Sequence, residues 1–151
     1  MNNAYLLIVG VDGSEAGCRA LDWAVQEAKK HGGAVQAVAA WRWDGDADGA
    51  ITGVSPLEER GVIVEMLNRQ VRAVAKRYGP GVAVIPIARQ GRAVDVLTDS
   101  ARTASLLVLG SHGHSLLRHG ILGSVSEGCI RKAHCPVVVI PTPAPTHGTP
   151  A

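Results

Sequence analysis

The chain has 151 residues, 46% of them apolar, and a formal charge of +2 at pH 7. That size and apolar content suffice for one core, and the small charge, with Lys and Arg scattered through the helical segments, excludes a general nucleic-acid binder or a polybasic membrane surface. Three cysteines, Cys18, Cys129 and Cys135, form an odd set without CxxC spacing, which fits a reducing compartment better than a disulfide framework.

The opening MNNAYLLIVGVDGS carries no basic region, and Asp12 interrupts its apolar run after one strand's length. Both features argue against a signal peptide or a membrane span and make the cytoplasm the expected location. Residues 5–11 form a continuous apolar run closed by Asp12-Gly13-Ser14, the pattern of a strand buried on both faces, as in parallel sheets. Ser14 suits the N-cap of a helix reaching about His31, with Leu21, Ala24, Val25 and Ala28 at helical spacing and Gly32-Gly33 as its stop. Residues 34–41 predict a weaker second strand whose small side chains leave room for a helix or a ligand. Residues 42–56 turn polar and glycine-rich, a loop long enough to be variable or functional.

A long helix is expected over residues 57–78, with Ile63, Leu67, Val71 and Val74 on one stripe, followed by a third strand over 82–88. Pro86 inside that strand has no amide to donate, which assigns it to a sheet edge. A third helix over 92–103 turns Val94, Leu97, Ala101 and Ala104 inward, and 104–109 is the fourth strand. After the glycine-rich stretch from Gly110 to Ser124, a fourth helical stripe runs through Leu122, Val125, Cys129 and Ala133 to a fifth strand over 136–140. One domain over 1–141 is expected, with a Pro- and Thr-rich disordered tail over 142–151.

This alternation predicts an α/β domain: a three-layer, open, twisted parallel sheet of five strands in the order 3-2-1-4-5, with helices on both faces and right-handed crossovers. The chain direction reverses between the first and fourth strands, and ligands of open α/β sheets bind outside the carboxyl ends at such a reversal. Topology therefore brings Asp12 toward Gly110.

Gly110 and Gly113 permit positive φ or close approach of the backbone to a phosphate; the alternative is a turn that needs glycine for tight packing. Gly123 and Ser124 open a helix whose first amides, including that of Val125, and the Ser124 hydroxyl can bind anionic oxygens. Asp12 could bond a ribose hydroxyl or an adenine edge, form an Asx turn with Gly13, or do both. His112 with His114, and His134 with Cys135, lack the third and fourth ligands of a metal site. Asp44, Asp46, Asp48 and Gly49 begin like a calcium loop, but the twelfth position is Ser55 and the preceding element is a strand. A solvated acidic loop is the preferred reading, with a cover over the adenine side of the site as the alternative. Neither a P-loop, a GxGxxG after the first strand nor a GxSxG elbow occurs, and no catalytic base is evident.

The spacing G-x2-G-x9-G-S from Gly110 to Ser124, with GVDGS at Gly10 to Ser14 and LGSVSEGCIRKAHCPVVVIP at Leu122 to Pro141, resembles the universal stress protein family in its nucleotide-binding form. The resemblance implies a Rossmann-like fold of the adenine nucleotide alpha hydrolase type. It implies ATP as ligand, with or without magnesium, held by Gly10, Val11, Asp12, Ala40, Gly110, Ser111, Gly113, His114, Ser115, Gly123, Ser124 and Val125. It further implies a homodimer paired through the fifth strand at Val137 to Ile140, and a role as stress regulator or sensor, with at most slow ATP hydrolysis helped by His114 or Asp12. His114 and Ser115 stand where many members are Arg- or Gly-rich, and Ala39 where many have His, which points to a weaker or pH-dependent phosphate grip. The competing readings are an adenylate-using hydrolase or transferase of the same fold, and a member that has lost nucleotide binding and acts as an interaction module.

Overall fold

Five strands alternate with four helices in the computed structural model, which describes residues 4–42, 55–112 and 122–141. In chain order they are β1 (Leu6–Gly10), α1 (Glu15–His31), β2 (Ala34–Trp41), α2 (Pro56–Tyr78), β3 (Val84–Gln90), α3 (Ala93–Ser100), β4 (Leu106–Gly110), α4 (Ser124–Lys132) and β5 (Val137–Ile140). All neighbouring strands pair in parallel, in the order β3-β2-β1-β4-β5, as the alternation of elements predicts. Pro86 lies in β3 at an edge of this sheet, opposite Ala37 of β2; an edge tolerates its missing donor.

The helices form because their caps and apolar stripes agree. The Ser14 hydroxyl accepts from the Gly17 amide to start α1, and the amide of Gly32, in the left-handed region, closes it on the Ala28 carbonyl. Ser55 and Glu58 form a reciprocal capping box at the start of α2. Leu7, Ile8 and Val9 of β1 are all fully buried, which requires cover on both faces of the sheet. On one face Leu7 and Val9 pack with Ala20, Leu21, Ala24 and Ala28 of α1 and with Leu67 and Val74 of α2. On the other, Ile8, Val38, Leu107 and Leu109 meet Val96 and Leu97 of α3 and Cys129 of α4. Each fully buried Leu or Ile contributes about 1.5–3 kcal/mol relative to exposure.

Several boundaries shift by a residue or two, the fourth strand among them at Leu106–Gly110 instead of 104–109, and three expectations shift for a visible reason. The third strand runs over Val84–Gln90 rather than 82–88, because its pairing with β2 extends to the Trp41–Gln90 pair and the Gly91 amide bonds the Trp41 carbonyl. α3 ends at Ser100 instead of 103, where the Arg102 and Ala104 amides reach back only three residues, to Asp99 and Ala101. In the fourth helix the buried positions are Ser126 and Cys129, while Leu122, which precedes the helix, and Val125 are exposed. Val125, in the first turn of α4, lines an opening at the sheet's end instead of the core, so this apolar residue is left at a rim. The acidic loop at Asp44 to Asp48 and the 142–151 tail lie outside the described residues.

Candidate functional site

Two loops meet at the carboxyl ends of β1 and β4, where the chain direction reverses. The Val11 amide bonds the Val38 carbonyl at 2.9 Å, carrying the β1–β2 ladder one residue past the strand. The chain then turns through Gly13, whose φ of 84° suits glycine. Asp12 Oδ1 accepts from both the Ser14 amide, at 2.9 Å, and the Ser14 hydroxyl, and Ser14 Oγ accepts from the Gly17 amide at 3.1 Å. The Asx turn is thus built, with Asp12 held directly over the start of α1. A Cβ at Gly17 would come within 3.0 Å of Asp12 Oδ1, so the small residue there makes room for that carboxylate.

The opposite wall is the end of β4 with the start of α4. The Ser111 amide bonds the Ile140 carbonyl at 2.9 Å, and the Gly123 amide bonds the Ser111 carbonyl at 2.7 Å. Ser126 Oγ donates to the Gly110 carbonyl at 2.7 Å. Gly123 is the N-cap of α4 and has no side chain to satisfy the first-turn amides, which keeps the positive end of that helix open to an anion. Gly110 is not in the left-handed region; what it permits is close packing. A Cβ there would lie 2.6 Å from Ala16 Cβ and 2.7 Å from the Ala16 carbonyl carbon, so α1 sits directly on the strand end.

Between these walls is a cleft of about 250 Å³, just under the roughly 300–1,000 Å³ range of small-molecule sites. Of the residues singled out from the sequence, Gly10, Val11, Asp12, Ala40, Gly110, Gly123, Ser124 and Val125 line it. Ser111 does not line it; its Oγ is 3.1 Å from Nδ1 of His112, which does. Gly113, His114 and Ser115 lie outside the described residues.

Sequence reasoning had not placed His112, Ala93, Leu97 or Ser126 at this cleft, yet all four line it. From the sequence, His112 reads as half of an incomplete metal pair and Leu97 as core. Asp12 and His112 are the ionisable side chains among the described lining residues, against an apolar floor of Val38, Ala40, Leu97 and Leu109. One end therefore suits a flat apolar group and the other an anion, with a carboxylate between them able to accept from hydroxyls.

No group of three or more His, Cys, Asp or Glu suited to a metal ion occurs among the described residues. The described cysteines are unpaired thiols, and burial pushes all three upward, Cys129 to about 11. No helix among the described residues is long and apolar enough to cross a membrane.

The sequence profile of the Universal stress protein family matches residues 7–141. A universal stress protein of Mycobacterium tuberculosis is 34% identical over 140 residues, covering 91% of this chain and 44% of that protein. The chain thus spans a little under half the length of this curated relative. Among solved structures, a universal stress protein in complex with cAMP is 26% identical with a TM-score of 0.66, over 93% of this chain and 100% of the other. A protein of the same family from Burkholderia pseudomallei is also 26% identical, with a TM-score of 0.67 over 94% and 100% of the two chains.

Proposed function

The chain belongs to the universal stress protein family, and from that premise we propose that its cleft binds an adenine nucleotide whose occupancy makes the protein a nucleotide-dependent stress regulator. The observation that carries this reading is the confrontation of the Asp12 turn with the first turn of α4 across one cleft. Val38, Ala40 and Leu97 would hold the base, Asp12 would accept from ribose hydroxyls, and the Ser124 and Val125 amides with the Ser124 hydroxyl would meet phosphate oxygens. The relative bound to cAMP supports an adenine nucleotide as the ligand class. ATP is the proposed ligand in the cell, with magnesium arriving as its counter-ion, and the cytoplasm is the proposed location.

Binding acts on the protein by mass action: a ligand held only by the folded state at 100 times its Kd stabilises it by about 2.7 kcal/mol. Calorimetry with ATP, AMP and cAMP, with and without magnesium, tests the reading. Micromolar binding in wild type, lost when Ala40→Leu fills the base end, is expected. Absence of binding in wild type refutes it.

A second copy of the chain is the proposed partner, paired along β5. That strand is an open sheet edge whose four residues, Val137 to Ile140, are apolar and half-buried, a surface that pairing would cover. Sedimentation of wild type and Val139→Lys checks it, the variant being expected to run as a monomer.

A further inference from the structure

We propose that Ser126 is a positioning residue for the phosphate end of the cleft, a role that rests on the nucleotide reading above. Ser126 is the third residue of α4 and is 3% exposed. Serine is a middling helix former, and a buried helical hydroxyl commonly turns back on its own helix. Thr98 of α3 does so, donating to the Val94 carbonyl at 2.8 Å. Ser126 instead crosses to another element and donates to the Gly110 carbonyl at the end of β4, at 2.7 Å. That bond places the first turn of the helix relative to the sheet.

A second strut acts one step earlier in the chain. The Gly123 amide is bonded to the Ser111 carbonyl, and the Ser111 amide to Ile140 of β5, so the residue before the helix is also tied to the sheet. With glycine as N-cap, no cap side chain fixes the direction of the first turn. Two struts thus tie the N-terminal end of α4 to the sheet, and Ser126 supplies the one inside the helix.

Gly110 is also where Ala16 of α1 rests on the strand end. Both walls of the cleft are thereby referred to the same residue. Hydrogen bonds weaken steeply with misalignment, so loosening the first turn of α4 costs contacts to phosphate. The base end is built on Val38 and Ala40 of β2 and Leu97 of α3, none of which belongs to that turn.

The test compares adenosine with AMP by calorimetry on wild type, Ser126→Ala and Ser126→Thr, alongside hydrogen exchange of the α4 amides. Removing one buried neutral hydrogen bond should weaken AMP binding about fivefold, leave adenosine within twofold, and speed exchange of the Gly123 and Glu127 amides, which are hydrogen-bonded at the start of α4, ahead of the rest of the helix. Ser126→Thr, which keeps the hydroxyl, should restore AMP affinity. Equal losses for adenosine and AMP, or unchanged AMP affinity in Ser126→Ala, would overturn the positioning role while leaving the nucleotide site standing. Unchanged exchange of the Gly123 and Glu127 amides in Ser126→Ala overturns it even if the variants are too unstable for calorimetry. Failure of wild type to bind either ligand overturns the nucleotide site itself, and the role of Ser126 toward phosphate falls with it.

Discussion

Replacing Gly110 by alanine tests whether that glycine serves helix packing. The added Cβ would stand 2.6 Å from Ala16 Cβ, 2.7 Å from the Ala16 carbonyl carbon and 2.9 Å from its oxygen. Carbon atoms prefer roughly 3.5–4.0 Å, so about 1 Å must be found. Two of the three obstacles are backbone, and no rotamer change can supply it; α1 or β4 has to move. Overpacking by a methyl group costs about 1–3 kcal/mol, and a forced backbone shift belongs to the upper part of that range, about 2–3 kcal/mol. In a domain of this size that lowers Tm by about 5–10 °C. Thermal and urea denaturation of Gly110→Ala, Ala16→Gly and the double variant provide the assay. Ala16→Gly removes the Cβ contact and leaves the two backbone contacts, so the double variant should be more stable than the sum of the single changes predicts, by about 1 kcal/mol, without full recovery. AMP affinity should fall together with Tm, since a displaced α1 takes the Ser14–Asp12 turn with it. A Gly110→Ala protein melting within about 1 °C of wild type, or strict additivity in the cycle, would refute the packing argument and return the glycine to a role toward ligand alone.

Gly61 is the contrasting case: it is exposed within α2 and a Cβ there meets nothing within 4 Å. Gly61→Ala should therefore stabilise by about 0.5–1 kcal/mol through helix propensity, read as a rise in Tm with nucleotide binding unchanged. Burial raises the Cys129 thiol from 9.0 to about 11, so the folded state keeps a proton that the unfolded chain releases. Its contribution to stability is complete below pH 9 and is lost as pH rises toward about 11; urea titrations from pH 8 to 11 should show a steeper decline for wild type than for Cys129→Ala. Cys129 should also resist alkylation at pH 8 until the protein unfolds. The bond from Lys132 to Asp95 at 2.7 Å, with the ammonium charge, lowers the Asp95 carboxyl, so any stability it lends is present above the unfolded carboxylate range and lost as pH falls. Carboxyl-carbon NMR should find Asp95 titrating at higher pH in Lys132→Met, with a change in Tm too small to measure, as for exposed pairs generally.

The sheet order was legible because two local signals sufficed. The uninterrupted apolar run of β1 demanded cover on both faces, and Pro86 demanded an edge. Boundaries were less legible where neighbours decide them: β3 continues to Gln90 because Trp41 of β2 is there to pair with it, and nothing within residues 82–90 records that. The stripe assigned to α4 failed at its start for a related reason. Helical spacing names a face without saying what the face meets, and at Val125 it meets the rim of the cleft instead of core.

The candidate site divides along the same line. Asp12 was legible because a carboxylate directly after a buried strand, at a sheet reversal, has few places to go, and its partner Ser14, with Gly17 that donates to Ser14 in turn, follows within a few residues. Gly110 was half legible: glycine announced a close approach, but the approaching atom belongs to Ala16, ninety-odd residues earlier. Ser126 was silent, since a serine in a helix reads as surface and its acceptor is a backbone carbonyl on another strand. A Ser-to-carbonyl bond leaves no compositional trace at its acceptor end, because every residue offers a carbonyl. What could have exposed it is the conflict within its own helix: a hydroxyl one position after the rim residue Val125 and three residues ahead of buried Cys129 stands where an apolar side chain would otherwise complete the inward stripe.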